Sequence, residues 1–151
     1  MLSATLASLF KRDINRVIDE LNLYANENDI WRVKLGISNS GGNLVLHLLG
    51  NLNTYIGKEI GKTGYIRNRD LEFSLKDVPR ANLIEQLKML LKVIDQSLAN
   101  LSDEDMRKDY PIAVLNDTIC TTEFFLLHLL SHLNYHLGQI NYHRRLISGN
   151  I

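Results

Sequence analysis

Apolar residues recur at intervals of three and four along almost the whole chain, and the two prolines, Pro79 and Pro111, leave long stretches in which that pattern is uninterrupted. Leu6, Leu9, Phe10, Ile14, Val17, Ile18 and Leu21 place one stripe along a helix running from Ser3 to about Tyr24. After the polar stretch Asn26 to Asp29, and Trp31, Val33 and Leu35, the cap residues Ser38, Asn39 and Ser40 open a second helix carrying Leu44, Val45, His47, Leu48, Leu52 and Tyr55. Gly57, Gly61 and Gly64 then loosen the chain into a long connection. A third helix enters around Asp77 and Pro79 and runs to about Leu101 on Leu83, Leu87, Leu90, Leu91, Ile94 and Leu98. Ile112 to Leu115 reads as a short extended crossing. A last helix, capped by Asp117 and Thr118 or by Thr121 and Thr122, continues past Leu146. The expectation is an all-α fold of four long helices in one domain over residues 1–151, with the connection between helices two and three long enough to suggest a functional loop.

Composition narrows the function classes. Lys plus Arg and Asp plus Glu number 17 each, so no net field draws the chain to nucleic acid or to an anionic membrane, and a small-molecule substrate fits better. A single cysteine, Cys120, excludes an intramolecular disulfide and the cysteine-rich zinc frameworks, and reads as a buried inert thiol. No apolar run approaches the roughly 20 residues that span a bilayer. The charges of the first segment follow its apolar residues, the wrong order for a secretory signal, so a cytoplasmic location is expected.

Histidine carries the chemistry. Four of the five, His128, His132, His136 and His143, lie in the last helix. Residues four apart on a helix share a face and are separated by about 6 Å along its axis, so two such imidazoles can reach one ion about 2.0–2.1 Å from each nitrogen. His128 with His132, and His132 with His136, both satisfy the rule. All three cannot readily meet one ion, so spacing leaves the register open. His47, embedded among Leu44, Val45, Leu46, Leu48 and Leu49, points into the protein and can supply a third nitrogen from a facing helix. Three neutral imidazoles suit Zn²⁺, Ni²⁺ or Fe²⁺ and leave a coordination position for water or substrate. The alternative is a set of hydrogen-bonded or surface histidines.

In NSGGNLVLHLLGNL, residues 39–52, and HLLSHLNYHLGQINYHRR, residues 128–145, the chain resembles the DinB-like superfamily of metal-binding four-helix bundles. RNRDLEF, residues 67–73, resembles an arginine-rich stretch of one branch of it. The resemblance spans most of the chain and implies a ligand set of His47, His132 and His136. It leaves His128 as a pocket-lining group and offers Gln139 as a hydrogen-bond partner for a ligand ring or the substrate. Characterised members include thiol-dependent S-transferases and isomerases. The resemblance therefore implies activation of a low-molecular-weight thiol, or of water in a hydrolase, for attack on a small electrophile; a non-enzymatic metal-binding or stress-response module is the alternative. Members also pair as dimers, and a homodimer is expected.

Four further readings are left to the structure. Asn43, in an asparagine-dense stretch, is a candidate to orient His47 or a substrate carbonyl. Arg67 and Arg69 can grip a cofactor carboxylate, or belong to an internal salt-bridged loop that pins helix two to helix three. Gly138 permits close approach of another helix. His143, Arg144 and Arg145 are expected to face solvent at the end of the last helix, where positive charge complements its dipole.

Overall fold

The computed structural model describes residues 1–149 and is all-helical, with no strand among those residues. Helix α1 (Leu2–Leu23) buries Leu6, Phe10, Ile14, Val17, Ile18 and Leu21, the stripe read from its spacing. A 3₁₀ turn (Glu27–Trp31) tucks Ile30 and Trp31 into the core. Helix α2 (Gly41–Leu52) starts at Ser40, whose hydroxyl accepts from the Asn43 N–H, and all twelve of its residues are buried. It runs on into a π-turn (Asn53–Lys58), where the Tyr55 carbonyl accepts from the Tyr110 hydroxyl at 2.6 Å. The long connection that follows contains a short helix, α3 (Arg69–Ser74), lying on α2. Helix α4 (Arg80–Ala99) buries Leu83, Leu87, Leu90, Ile94 and Leu98. Its cap residue is Pro79, and Asp77, two residues earlier, takes a left-handed backbone (φ 59°).

Helix α5 (Asp103–Arg107) opens with a reciprocal capping box between Ser102 and Asp105. The segment read as an extended crossing folds back on itself: Val114 and Thr118 exchange backbone hydrogen bonds around Leu115, Asn116 and Asp117, all left-handed. Helix α6 (Thr122–Ser148), capped by Thr121, is 27 residues long, about 40 Å.

Helices α1 and α2 each pack against both α4 and α6, around one apolar cluster. A polar seam sets the rotation of α6 against α1. The Asn134 amide donates to buried Asp13 at 2.8 Å, and Asn141 and Arg144 donate to Glu20 at 2.7 and 2.6 Å. With Asn134 turned to α1, His132 and His136 on either side of it in sequence face α2. No described helix is long and apolar enough to cross a membrane.

Candidate metal centre

Burial of α2 on every side carries His47 inward, 7% exposed, while α6 brings His132 and His136 to it at the edge of the core. The Nε2 atoms of His47 and His132 are 3.3 Å apart, and those of His136 and His132 are 3.1 Å apart. One ring nitrogen from each of the three lies within 4.8 Å of the others. Two nitrogens each about 2.05 Å from one zinc are about 3.3 Å apart at the tetrahedral angle and about 2.9 Å apart at 90°. Both measured separations fall in that interval, so the three side chains can hold a divalent ion.

The far side of each ring decides which nitrogen carries the proton. Glu72, 5% exposed, accepts from His47 Nδ1–H at 3.0 Å, and Gln139 Oε1 accepts from His136 Nδ1–H at 2.6 Å. With Nδ1 protonated, the Nε2 lone pairs of His47 and His136 are free and converge on His132. Histidine ligands are oriented in this way by carboxylates and carbonyls behind them. His132 Nδ1 is buried without a protein partner. Burial lowers the pKa of all three rings. Glu72 partly opposes it at His47 and Gln139 at His136, whereas His132, with both other rings beside it, is pushed down to about 4. The cluster therefore stays neutral, the ligating form, at neutral pH.

The arginine-rich loop is an internal salt bridge. Arg67 donates from Nε to Glu72 Oε2 at 2.8 Å and from Nη2 to Oε1 at 2.9 Å, holding the carboxylate in a fork against His47. Arg69 is exposed on the outer side of α3. The Asn43 side chain makes no hydrogen bond to His47 among the described residues. Its amide donates to the carbonyls of Glu72 (3.0 Å) and Leu75 (2.8 Å), so it fixes the backbone that presents Glu72. His128 is exposed and stacks on Phe125, its ring 6.5 Å from that of His132, at the lip of the site. Phe73 and Tyr135 flank the rings of His47 and His136 at 5.2 and 5.3 Å.

Two expectations at the end of α6 are corrected. His143 does not face solvent: it is 3% exposed, accepts from the Tyr24 hydroxyl at 2.6 Å through Nδ1 and donates from Nε2 to the Arg32 carbonyl at 2.8 Å. Arg144 is held by Glu20; Arg145 alone of the three is exposed. Gly138 is exposed, and a methyl group there would meet nothing within 4 Å among the described residues, so close helix packing is not what it serves. Cys120 is half-buried, and burial raises its thiol pKa, so it is a weak nucleophile.

The family described as "Protein of unknown function (DUF1572)" matches residues 4–150, and with them every residue of the site. The chain belongs to this family. No curated protein matches it. One member of the site, Glu72, is not among the candidates that the sequence offers. Its signal is a carboxylate set between two apolar residues, Leu71 and Phe73, in a charged stretch, opposite a helix with no charged residue of its own.

Proposed function

We propose that this DUF1572 protein is a DinB-like divalent-metal protein in which His47, His132 and His136 hold the ion and the four long helices form the bundle. The observation that carries the reading is the approach of His47 Nε2 and His136 Nε2 to His132 Nε2 at chelating separations, one nitrogen from each ring lying within 4.8 Å of the others, with Glu72 and Gln139 fixing the tautomer of two of the rings. When bound, Zn²⁺, Ni²⁺ or Fe²⁺ would supply Lewis acidity, lowering the pKa of a thiol or water in its vicinity. The function that fits is a metal-dependent enzyme activating such a nucleophile against a small electrophile, as a thiol S-transferase or a hydrolase. Phe73, Tyr135 and His128 would contact the substrate at the lip of the site. Arg67 is committed to Glu72, which leaves Arg69 as the guanidinium available to a thiol cofactor's carboxylate.

A second reading is a non-enzymatic module in which the ion ties α2 to α6. It is favoured by the adjoining cavity of about 350 Å³, which reaches Gln139 and His143 but is lined by none of the three ligand histidines. A cytoplasmic homodimer accords with either reading, since Phe124, Tyr135 and Tyr142 lie exposed along α6.

Elemental analysis of tag-free protein, purified without a metal-affinity step, tests the centre. About one ion per chain in the wild type and none in His132→Ala is expected, and equal content in both would end the reading. Adding a low-molecular-weight thiol to the cobalt-substituted protein tests the thiol route: a shifted visible spectrum supports the transferase, and an unchanged one removes it.

A further inference from the structure

Glycine inside a helix is less stable than alanine, so Gly50, one turn beyond His47 and buried in α2, needs a reason to be there. The space its missing side chain leaves is filled by Glu72. A methyl group at Gly50 would collide with Glu72 Oε2 and lie 2.6 Å from its Cδ. The carboxylate can reach His47 Nδ1 only by lying against the bare backbone of α2.

The segment that delivers Glu72 has little else to hold it. Of the six residues of α3, Glu72 alone is buried, while Leu71, Phe73 and Leu75 are substantially exposed. A cavity of about 180 Å³ lies beneath the segment, bounded by Leu46 and Leu49 of α2 and by Leu71 and Leu75. The attachment is polar: the Arg67 fork on Glu72, the Asn43 amide on the carbonyls of Glu72 and Leu75, and Lys76 Nζ donating to Asn43 Oδ1 at 2.7 Å. All of these bonds meet at or beside Glu72, which also backs His47.

We propose that Gly50 is the seat for Glu72, and that docking of the α3 arm on α2 and loading of the histidine centre are one linked equilibrium, each favouring the other. Linkage of this kind is reciprocal: if the docked arm tightens metal binding, bound metal must stabilise the docked arm by the same factor. Gly50 and Glu72 are positioning residues, acting through His47 and touching no ion themselves. The inference rests on the metal reading above.

The test uses tag-free apo protein titrated with zinc against a chromophoric chelator, the visible spectrum of the cobalt form, and hydrogen exchange of residues 62–79 with and without zinc. In the wild type, zinc should slow exchange across that segment. Gly50→Ala should weaken zinc 10- to 100-fold, alter the cobalt spectrum and leave the segment exchanging fast. Glu72→Gln, which keeps an acceptor for His47, should retain more affinity than Glu72→Ala. In the Glu72→Ala background the collision is gone, so adding Gly50→Ala should cost no further affinity and should raise Tm. That double variant also serves if Gly50→Ala alone does not fold: a double variant that folds supports the seat, and one that remains unfolded overturns it. Equal zinc affinity and spectra in wild type and Gly50→Ala would overturn this inference and leave the metal centre standing. A wild type that binds no zinc, nickel or iron would remove both.

Discussion

Helix α6 carries two histidine environments about three turns apart, and they are built on opposite principles. At His143 both ring nitrogens are satisfied by the protein, one by the Tyr24 hydroxyl and one by the Arg32 carbonyl. At His132 one nitrogen points at two other imidazoles and the second has no protein partner. Burial depresses the pKa of both residues, so the direction of the shift alone does not distinguish them. The distinction lies in what each nitrogen faces. His143 is a closed polar joint of the core, and His132 is the open member of a converging set.

The contrast breaks most sharply under alanine substitution. His132→Ala should abolish stoichiometric metal while the apo protein keeps its fold, measured by metal analysis alongside circular dichroism. His143→Ala should do the reverse. It leaves the Tyr24 hydroxyl and the Arg32 carbonyl without partners in the core, an expected loss of about 2–4 kcal/mol in denaturant unfolding, with metal content unchanged.

Smaller effects sharpen it. Gln139→Ala removes only the acceptor behind His136 and should weaken metal binding about 10-fold, with stability within about 0.5 kcal/mol of wild type. Tyr24→Phe deletes one hydrogen bond to His143 and should cost about 1 kcal/mol without touching the metal. The pH response is the subtlest difference. His143 is held below the ordinary histidine value of 6.5 by burial, against the smaller opposing pull of the Arg32 carbonyl and Asp29. The unfolded chain takes up that proton first, so its contribution is complete above about pH 6.5 and declines as pH falls towards the lower native pKa. The acid-side fall in Tm of the His132→Ala protein should therefore become shallower when His143→Gln is added.

Much of this was legible in the sequence because it is periodic. The stripe of α1, the cap at Ser40 and the four-residue step from His132 to His136 each follow from the helical repeat, and His47 was marked by its wholly apolar neighbours. The difference at His143 comes from weighing local charge over helical phase. His143 was assigned to solvent because Arg144 and Arg145 follow it, although it falls three residues after Ile140 and four before Ile147, on the buried stripe. Its partners, Tyr24 and the Arg32 carbonyl, are over a hundred residues away in sequence and leave no local trace. Glu72 is hard to read for a different reason: the reach of a carboxylate from the short helix α3 to a histidine 25 residues earlier runs against the bare backbone of Gly50, which no periodicity announces.

The π-turn at Asn53–Lys58 bears on how this chain tolerates change in length. Such a turn is a helix with one residue too many, and removing that residue would close the widened turn and re-aim the carbonyls within it. The Tyr55 carbonyl would then swing off the Tyr110 hydroxyl, and the path of the backbone towards Arg67 would start in the wrong direction. Single-residue deletions here should therefore be felt some way off, at the base of the segment that reaches back to the histidines. Between Leu115 and Asp117, where the turn already closes on itself, an added glycine should pass almost unnoticed.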